Sequence, residues 1–355
     1  MDCGTSLDDL CRANFSLDPL RLSTGLVLDR IQVFRRRIHL SSGPLRRAGC
    51  DLFSYTRNAM KKIIVLALIL IISTVAAFAG DRRIAFERRD AVYVANLDGT
   101  AEKKIADGIF PAISPDGTRI AFNTVEKTNT TYARHIAVLE IESSKTTVFK
   151  DVPSTNSYYP TWSPDGKRIL FTLRQNEVWD LGLINADGTG FRVVRKGDPN
   201  EVTRYSPVWA RDGQSVFCQD MTNIYRLGLD GVVLAQWKIE KIIPNGDMSG
   251  DCRIDISPDG KRLLLGIDMG EESNRKDWDG PLPALWTFDL DSQRAVRLTP
   301  KKLFGWDGCW INSDNILFLS RTPGEKENSI YRMSTNGKDL KRLIKDARFP
   351  TVSAP

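Results

Sequence analysis

The chain has 355 residues, 41% of them apolar, enough to bury a large core, and its 26 Gly and 17 Pro supply many turns without low complexity. The net charge of +6 belongs to the leader: residues 1–79 hold 11 Lys and Arg against 6 Asp and Glu, whereas residues 80–355 hold 39 against 38. A body with no net field lacks the electrostatic footprint of a nucleic-acid binder, so no nucleic-acid partner is expected.

In chain order, the first clear element is MKKIIVLALILIISTVAAFAG, Met60 to Gly80. Lys61 and Lys62 precede an apolar run from Ile63, and Ala77-Phe78-Ala79 closes it with small residues. This is the layout of a secretory signal peptide over 60–79, with cleavage after Ala79. Its position leaves two readings of residues 1–59. Either translation starts at Met60 and 1–59 are no part of the mature protein, or they are real and the apolar run is an uncleaved anchor at the short limit of a membrane span. The first predicts a periplasmic or secreted protein with no membrane span in its mature form. Of six Cys, only Cys218, Cys252 and Cys309 follow Ala79, so at most one internal bridge can form. Cys252 and Cys309 start equivalent strands and are the candidate pair; three buried thiols is the alternative, with Cys218 at a core position.

Residues 80–355 repeat one phrase. PAISPDGTRIAF at Pro111, PTWSPDGKRILF at Pro160 and IDISPDGKRLLL at Ile254 are near copies. Aligned on the Ser of S-P-D-G, the markers are Ser114, Ser163, Ala210, Ser257, Asn312 and Ser353, at intervals of 49, 47, 47, 55 and 41. A period in the forties built of short strands is that of a β-propeller blade. Each unit reads as four strands: a short one before the marker, a second such as Ile169-Leu170-Phe171, a third such as Val178-Trp179, and a polar edge. Gly-centred turns join them. After the signal peptide come RIAF, VYVANLDG and AEKKIA, a unit without its first strand. FPTVSAP at Phe349 supplies it. The prediction is an all-β, six-bladed propeller of four-stranded antiparallel blades, closed by a C-terminal first strand joining the N-terminal blade. Residues one before the marker (Ile113, Trp162, Trp209, Ile256, Ile311, Val352) are read as wedges between blades. Those two before it (Ala112, Thr161, Val208, Asp255, Trp310, Thr351) are read as facing the central channel.

The P-x-W-S-P-D-G phrase at Pro160 and its copies over residues 82–355 resemble the TolB-like propeller repeats. That resemblance implies an exported, non-catalytic interaction platform. TolB itself carries an α/β domain ahead of its propeller, for which Gly80 to Arg83 leaves no room.

The S-P-D-G aspartates are read as shaping turns. The opposite rim, built by blade links, varies from unit to unit as a binding face does. It offers Phe110, Tyr158, Tyr159, Tyr205, Asp251, Arg253, Trp306, Asp307, Arg348 and Phe349. Trp278, in the loop from Asp268 that interrupts the repeat after Ser257, and Asp255 at the channel mouth complete the set. Aromatic and Arg side chains on a rigid rim suit a protein partner, since they bury area at low entropic cost; simple packing of the links is the alternative reading. No cofactor or metal is expected. DWDG at Asp277 opens like a calcium loop, yet Phe288 stands where its closing Glu belongs. With His39 ahead of the signal peptide, His135 alone cannot make a zinc site; it is read as opening the third strand of its unit. There is no G-x-S-x-G nucleophile elbow, so no enzyme is expected, though carboxylate-only chemistry stays open. The reading is a monomeric, exported scaffold engaging an envelope protein. The alternative is a carbohydrate-binding or carbohydrate-cleaving propeller using the channel mouth around Asp255. An aromatic rim would favour the first, a funnel of converging carboxylates the second.

Overall fold

The computed structural model describes residues 82–128, 132–175, 177–194, 203–272 and 281–354. The signal-peptide reading of 60–79, the question of 1–59 and Trp278 with its DWDG segment all lie outside the described residues. Among the described residues no helix is long and apolar enough to cross a membrane.

Six antiparallel sheets follow one another. Blade one holds Arg83–Arg88, Ala91–Asn96 and Lys103–Asp107, with Arg348–Val352 as its innermost strand. Blade two runs from Ile109 to Val148, blade three from Ser157 to Val193, blade four from Tyr205 to Lys238, blade five from Gly246 to Arg297 and blade six from Trp306 to Ile344. The expected closure is present: Val352 pairs Ile84, Thr351 pairs Ala85 and Arg348 pairs Glu87. The end of the chain thereby hydrogen-bonds the sheet that begins the propeller, and the inner edge of blade one is not left unpaired.

Apolar burial explains why the blades stay together. Six hydrophobic clusters lie one at each blade-to-blade interface. The first-to-second junction holds Ala85, Val92 and Ile113 with Phe122, and the sixth-to-first holds Ile84 and Phe86 with Ile311 and Leu317. The second strands are buried on both faces, which is why RIAF, RILF and NILF read as unbroken apolar runs. Packing there is tight: a Cβ on Gly182 would lie 2.5 Å from the Phe171 ring on the paired strand.

The S-P-D-G turns are structural. In blade two the Ser114 hydroxyl donates to Asp116 Oδ1 at 2.5 Å, the Thr118 amide donates to the same oxygen at 3.1 Å, and the Arg119 amide donates to Ser114 Oγ at 2.9 Å. Asp165 and Asp259 repeat the arrangement. Gly117, Gly166 and Gly260 take the left-handed backbone, φ +72, +65 and +73, that the turn requires.

The arginine after each turn ties blades together. The Arg119 guanidinium lies 4.6 Å over the Trp162 ring of the next blade and donates to the Gly166 carbonyl at 2.8 Å. Arg168 repeats this on Trp209 (4.7 Å) and Gly213 (3.0 Å), and Arg262 on Trp310 (4.8 Å) and Ser313 (2.9 Å). The last of these corrects the alignment of blade six. Trp310 pairs Ile316 as Trp162 pairs Ile169, so Trp310 is the wedge between blades five and six, Ile311 takes the marker position and Cys309 the channel position. The turn Ile311–Asn315 is shorter than S-P-D-G-K-R, and aligning on Asn312 displaces the register by one.

Three further corrections follow. Cys218, Cys252 and Cys309 are all free thiols, so the Cys252–Cys309 pair does not form in this structure. His135 lies inside the strand Tyr132–Glu140 and does not open it. The segment after Asp268 is less loop than expected, because the strand continues to Glu272, which pairs with Pro281.

Candidate functional site

The rim opposite the S-P-D-G turns is shaped by a feature that recurs in five blades. In each innermost strand the pairing with the second strand slips by one residue: Tyr158 pairs Thr172, but Thr161 pairs Leu170. The same slip separates Ile109 from Ala112, Tyr205 from Val208, Trp306 from Cys309 and Arg348 from Thr351. The residue inside each bulge has positive φ: Phe110 (+53), Tyr159 (+50), Ser206 (+50), Asp307 (+48) and Phe349 (+51). Four of them precede proline, which cannot donate to the ladder and excludes the right-handed helical region for the residue before it. Arg253 holds the equivalent position in blade five, three residues before the Ile256 wedge. A left-handed conformation at an aromatic residue is costly and needs surrounding structure to hold it; bulges of this kind re-aim side chains. Here they bring one residue from each of these five blades to the rim around the channel.

On one side the mouth is aromatic. Phe110 lies 4.7 Å from Phe349, 4.5 Å from Tyr159 and 5.8 Å from Tyr158, ring centre to ring centre. Tyr158 continues to Trp179 at 5.1 Å, and Trp179 to Tyr205 at 6.2 Å. The Arg134 guanidinium caps the Tyr158 ring at 3.6 Å and donates to Asn156 Oδ1 at 2.6 Å. This arc crosses blades one to four.

On the other side carboxylates gather. A cavity of about 270 Å³ is lined by Asp251, Asp268 and Asp307, by Tyr159, Trp306 and Phe349, and by Arg348 among others. Asp307 is only 5% exposed and makes no hydrogen bond or ion pair among the described residues. Burial pushes its carboxyl up to about 7; Arg253 opposes the shift, while Asp251 and Glu87 add to it. Glu87 is likewise raised to about 7 by burial, against the Phe110 amide that donates to it at 3.3 Å and the charge of Arg348. Asp268 rises to about 6 through burial and the charges of Asp251 and Asp247. The Tyr159 hydroxyl is held well above its ordinary value, by burial first and then by Asp307 and Asp251. These are the expected responses of groups taken out of water and set beside like charge.

The central channel is a second cavity, about 390 Å³, lined by Thr161, Val208, Asp255, Cys309 and Thr351 and, at its mouth, by Tyr159 and Arg253. Tyr159 lines both cavities. Asp255 sits inside this channel, away from the rim. Its Oδ1 accepts the Ile256 amide and its Oδ2 the Trp310 amide, both at 2.8 Å. Burial raises its pKa while Arg211 opposes. It links blades five and six, and its oxygens are already engaged. Among the described residues no group of three or more His, Cys, Asp or Glu is placed to hold a metal ion.

Of the rim residues read from sequence, the structure joins Tyr158, Tyr159 and Tyr205 in the arc, and Asp251, Trp306, Asp307 and Arg348 around the rim cavity. Arg253 stands at the channel mouth. Trp179, Glu87, Asp268 and Ser206 escaped the sequence reading. The X-Pro step inside four innermost strands, at Phe110, Tyr159, Ser206 and Phe349, is the signal that would have found the bulge ring, since proline inside a strand marks a bulge.

Comparison with solved structures agrees with the propeller fold. TolB from Acinetobacter baumannii is 19% identical with a TM-score of 0.54, covering 80% of this chain and 70% of that one. The fold is a six-bladed β-propeller similar to that of this TolB structure. A putative TolB from Agrobacterium tumefaciens is 16% identical (TM-score 0.52, 75% of this chain and 89% of that one). A chain of the nidogen/laminin complex is 12% identical (TM-score 0.56, 77% and 98%). No family model and no curated protein sequence matches the chain.

Proposed function

We propose that this protein is an exported, non-catalytic propeller that docks a protein partner of the cell envelope on the rim carrying the bulge ring. The observation that carries the reading is the unbroken run of ring contacts from Phe349 through Phe110, Tyr158 and Trp179 to Tyr205, spanning four blades on one face. Large aromatics held by ring contacts and, at Phe349 and Phe110, by backbone bulges lose little freedom on binding, and Arg134 stacked on Tyr158 adds a partly buried cation. The leader at Met60 supports export. The nidogen/laminin chain offers a parallel for this frame within a protein complex.

Affinity capture from envelope extract tests the reading. Wild type is expected to retain a partner that the Tyr158→Ala/Tyr159→Ala variant loses. Identical recovery by both rejects the rim as the docking face.

A second reading, a carbohydrate-binding or carbohydrate-cleaving propeller, is favoured by Asp307, Asp268 and Glu87, whose raised proton affinities suit an acid catalyst. It moves the active surface from Asp255 to the rim cavity, which Asp307 and Asp268 line. Turnover of oligosaccharide by wild type, abolished in Asp307→Asn, would establish it in place of the first.

A further inference from the structure

The cavity between blades five and six holds an imbalance that the fold does not explain. Three carboxylates line it against one guanidinium, Arg348, whose charge also acts on Glu87. Asp251 accepts the Ser249 hydroxyl and stays exposed, so its side chain has a local partner. Asp307 has none. It is 5% exposed, lines the cavity, and is held there by a left-handed backbone at φ +48. Arg253, on the channel side, lies near enough to oppose its charge but forms no bond to it, and its own Nη1 is buried without a partner. A carboxylate so far withdrawn from water and without a protein hydrogen bond is costly to keep charged; Asp307 lines the cavity, where a ligand can reach it.

Three aromatic residues, Tyr159, Trp306 and Phe349, share the remaining walls with Ser249, Cys252, Gly266, Pro283, Leu319 and Asn328. Ring faces beside carboxylates suit an organic cation, which gains from the ring quadrupoles and from the charges together. Size narrows the choice. At about 270 Å³ the cavity is below the roughly 300–1,000 Å³ that hold whole small-molecule ligands, and fits a single side chain. The aromatic arc begins at its edge, with Phe349 and Tyr159 shared by both. The occupant therefore comes from a polypeptide lying across the arc.

We propose that this cavity receives one cationic side chain, lysine or arginine, of a polypeptide partner, with Asp251, Asp268 and Asp307 as its counter-charges and Tyr159, Trp306 and Phe349 as its walls. This rests on the rim being a docking face, and it names the chemistry of what docks. A neutral residue of the same length gains nothing from the carboxylates, and an anion is repelled.

Ligand-observed NMR titration of the full chain tests it with three probes: N-acetyl-lysine methylamide, N-acetyl-arginine methylamide and the neutral N-acetyl-norleucine methylamide. Saturable binding of at least one cationic probe is expected, with none for norleucine. Asp307→Asn should weaken that binding by about tenfold or more, because it removes one partner of a buried charge pair. Asn has nearly the shape of Asp, and Asp307 makes no bond that the fold needs. Asp251→Asn, at an exposed position, is the second variant and should weaken binding too. Three results overturn the proposal: no saturation by either cation, equal binding of norleucine, or wild-type affinity in both variants. Any of these would leave the Tyr158/Tyr159 dependence of partner capture intact, so the failure of the cavity and the failure of the docking face are distinguishable.

Discussion

Asp307, Glu87 and Asp268 carry their protons to unusually high pH because burial penalises the charged form of each. A carboxyl whose proton affinity rises on folding binds the proton more tightly in the native state, so stability falls as pH rises. For Asp307 the loss starts near its unfolded value, about 4, and is complete above its folded value of about 7. The wild type should therefore melt lower at pH 8 than at pH 5.5. Asp307→Asn should raise the melting temperature at pH 8 by several degrees and have a much smaller effect at pH 4. Thermal melts of both proteins across that range check it; parallel curves at all pH values would show that Asp307 ionises without cost. None of this was legible in the sequence. Asp307 was visible as a rim candidate, but Glu87, which shares its field, stands near the other end of the described chain, and only ring closure brings them together.

The strand is the scale at which the repeat can be read, because turns are local. Pro presets one φ, Asp bonds the backbone two residues on, and Gly takes the positive φ, so each S-P-D-G announces a hairpin wherever it occurs. The arginine that follows is equally local in sequence, yet its work is done on the next blade. Arg168→Ala should destabilise the protein by about 1–3 kcal/mol, from a partly buried cation–π contact and a hydrogen bond to a carbonyl. Chemical denaturation measures this, and an unchanged midpoint would show that the Arg168–Trp209–Gly213 tie is incidental. Where the turn departs from the pattern, the sequence reading departs as well. Asn312 lies one residue past the marker position because its turn lacks the Pro-Asp-Gly frame, and aligning on it turns Trp310 from wedge to channel lining. The innermost strands hid their bulges for a related reason: a single extra residue leaves the apolar pattern unchanged on either side of it.

For the propeller as a whole the decisive contact is between its ends. Val352 and Thr351 pair with Ile84 and Ala85, Ser353 accepts from Arg82, and the Arg83 amide donates to the Ser353 hydroxyl. Deleting Phe349 to Pro355 should cost several kcal/mol, on the order of losing a core strand and its buried side chains. A drop in melting temperature checks this; an unaltered melt would mean that blade one is stable without its inner strand. The sequence by itself determined the number of blades, the class of fold and the place of closure. Each of these is written in turns and apolar periods that act over a few residues and repeat. Only the tertiary structure decided what the rim is. A closed ring sets residues from six distant segments around one mouth, and whether they meet as an aromatic arc or as an uncompensated carboxylate pocket depends on bulge geometry and burial across blades, neither of which is a local property of the chain.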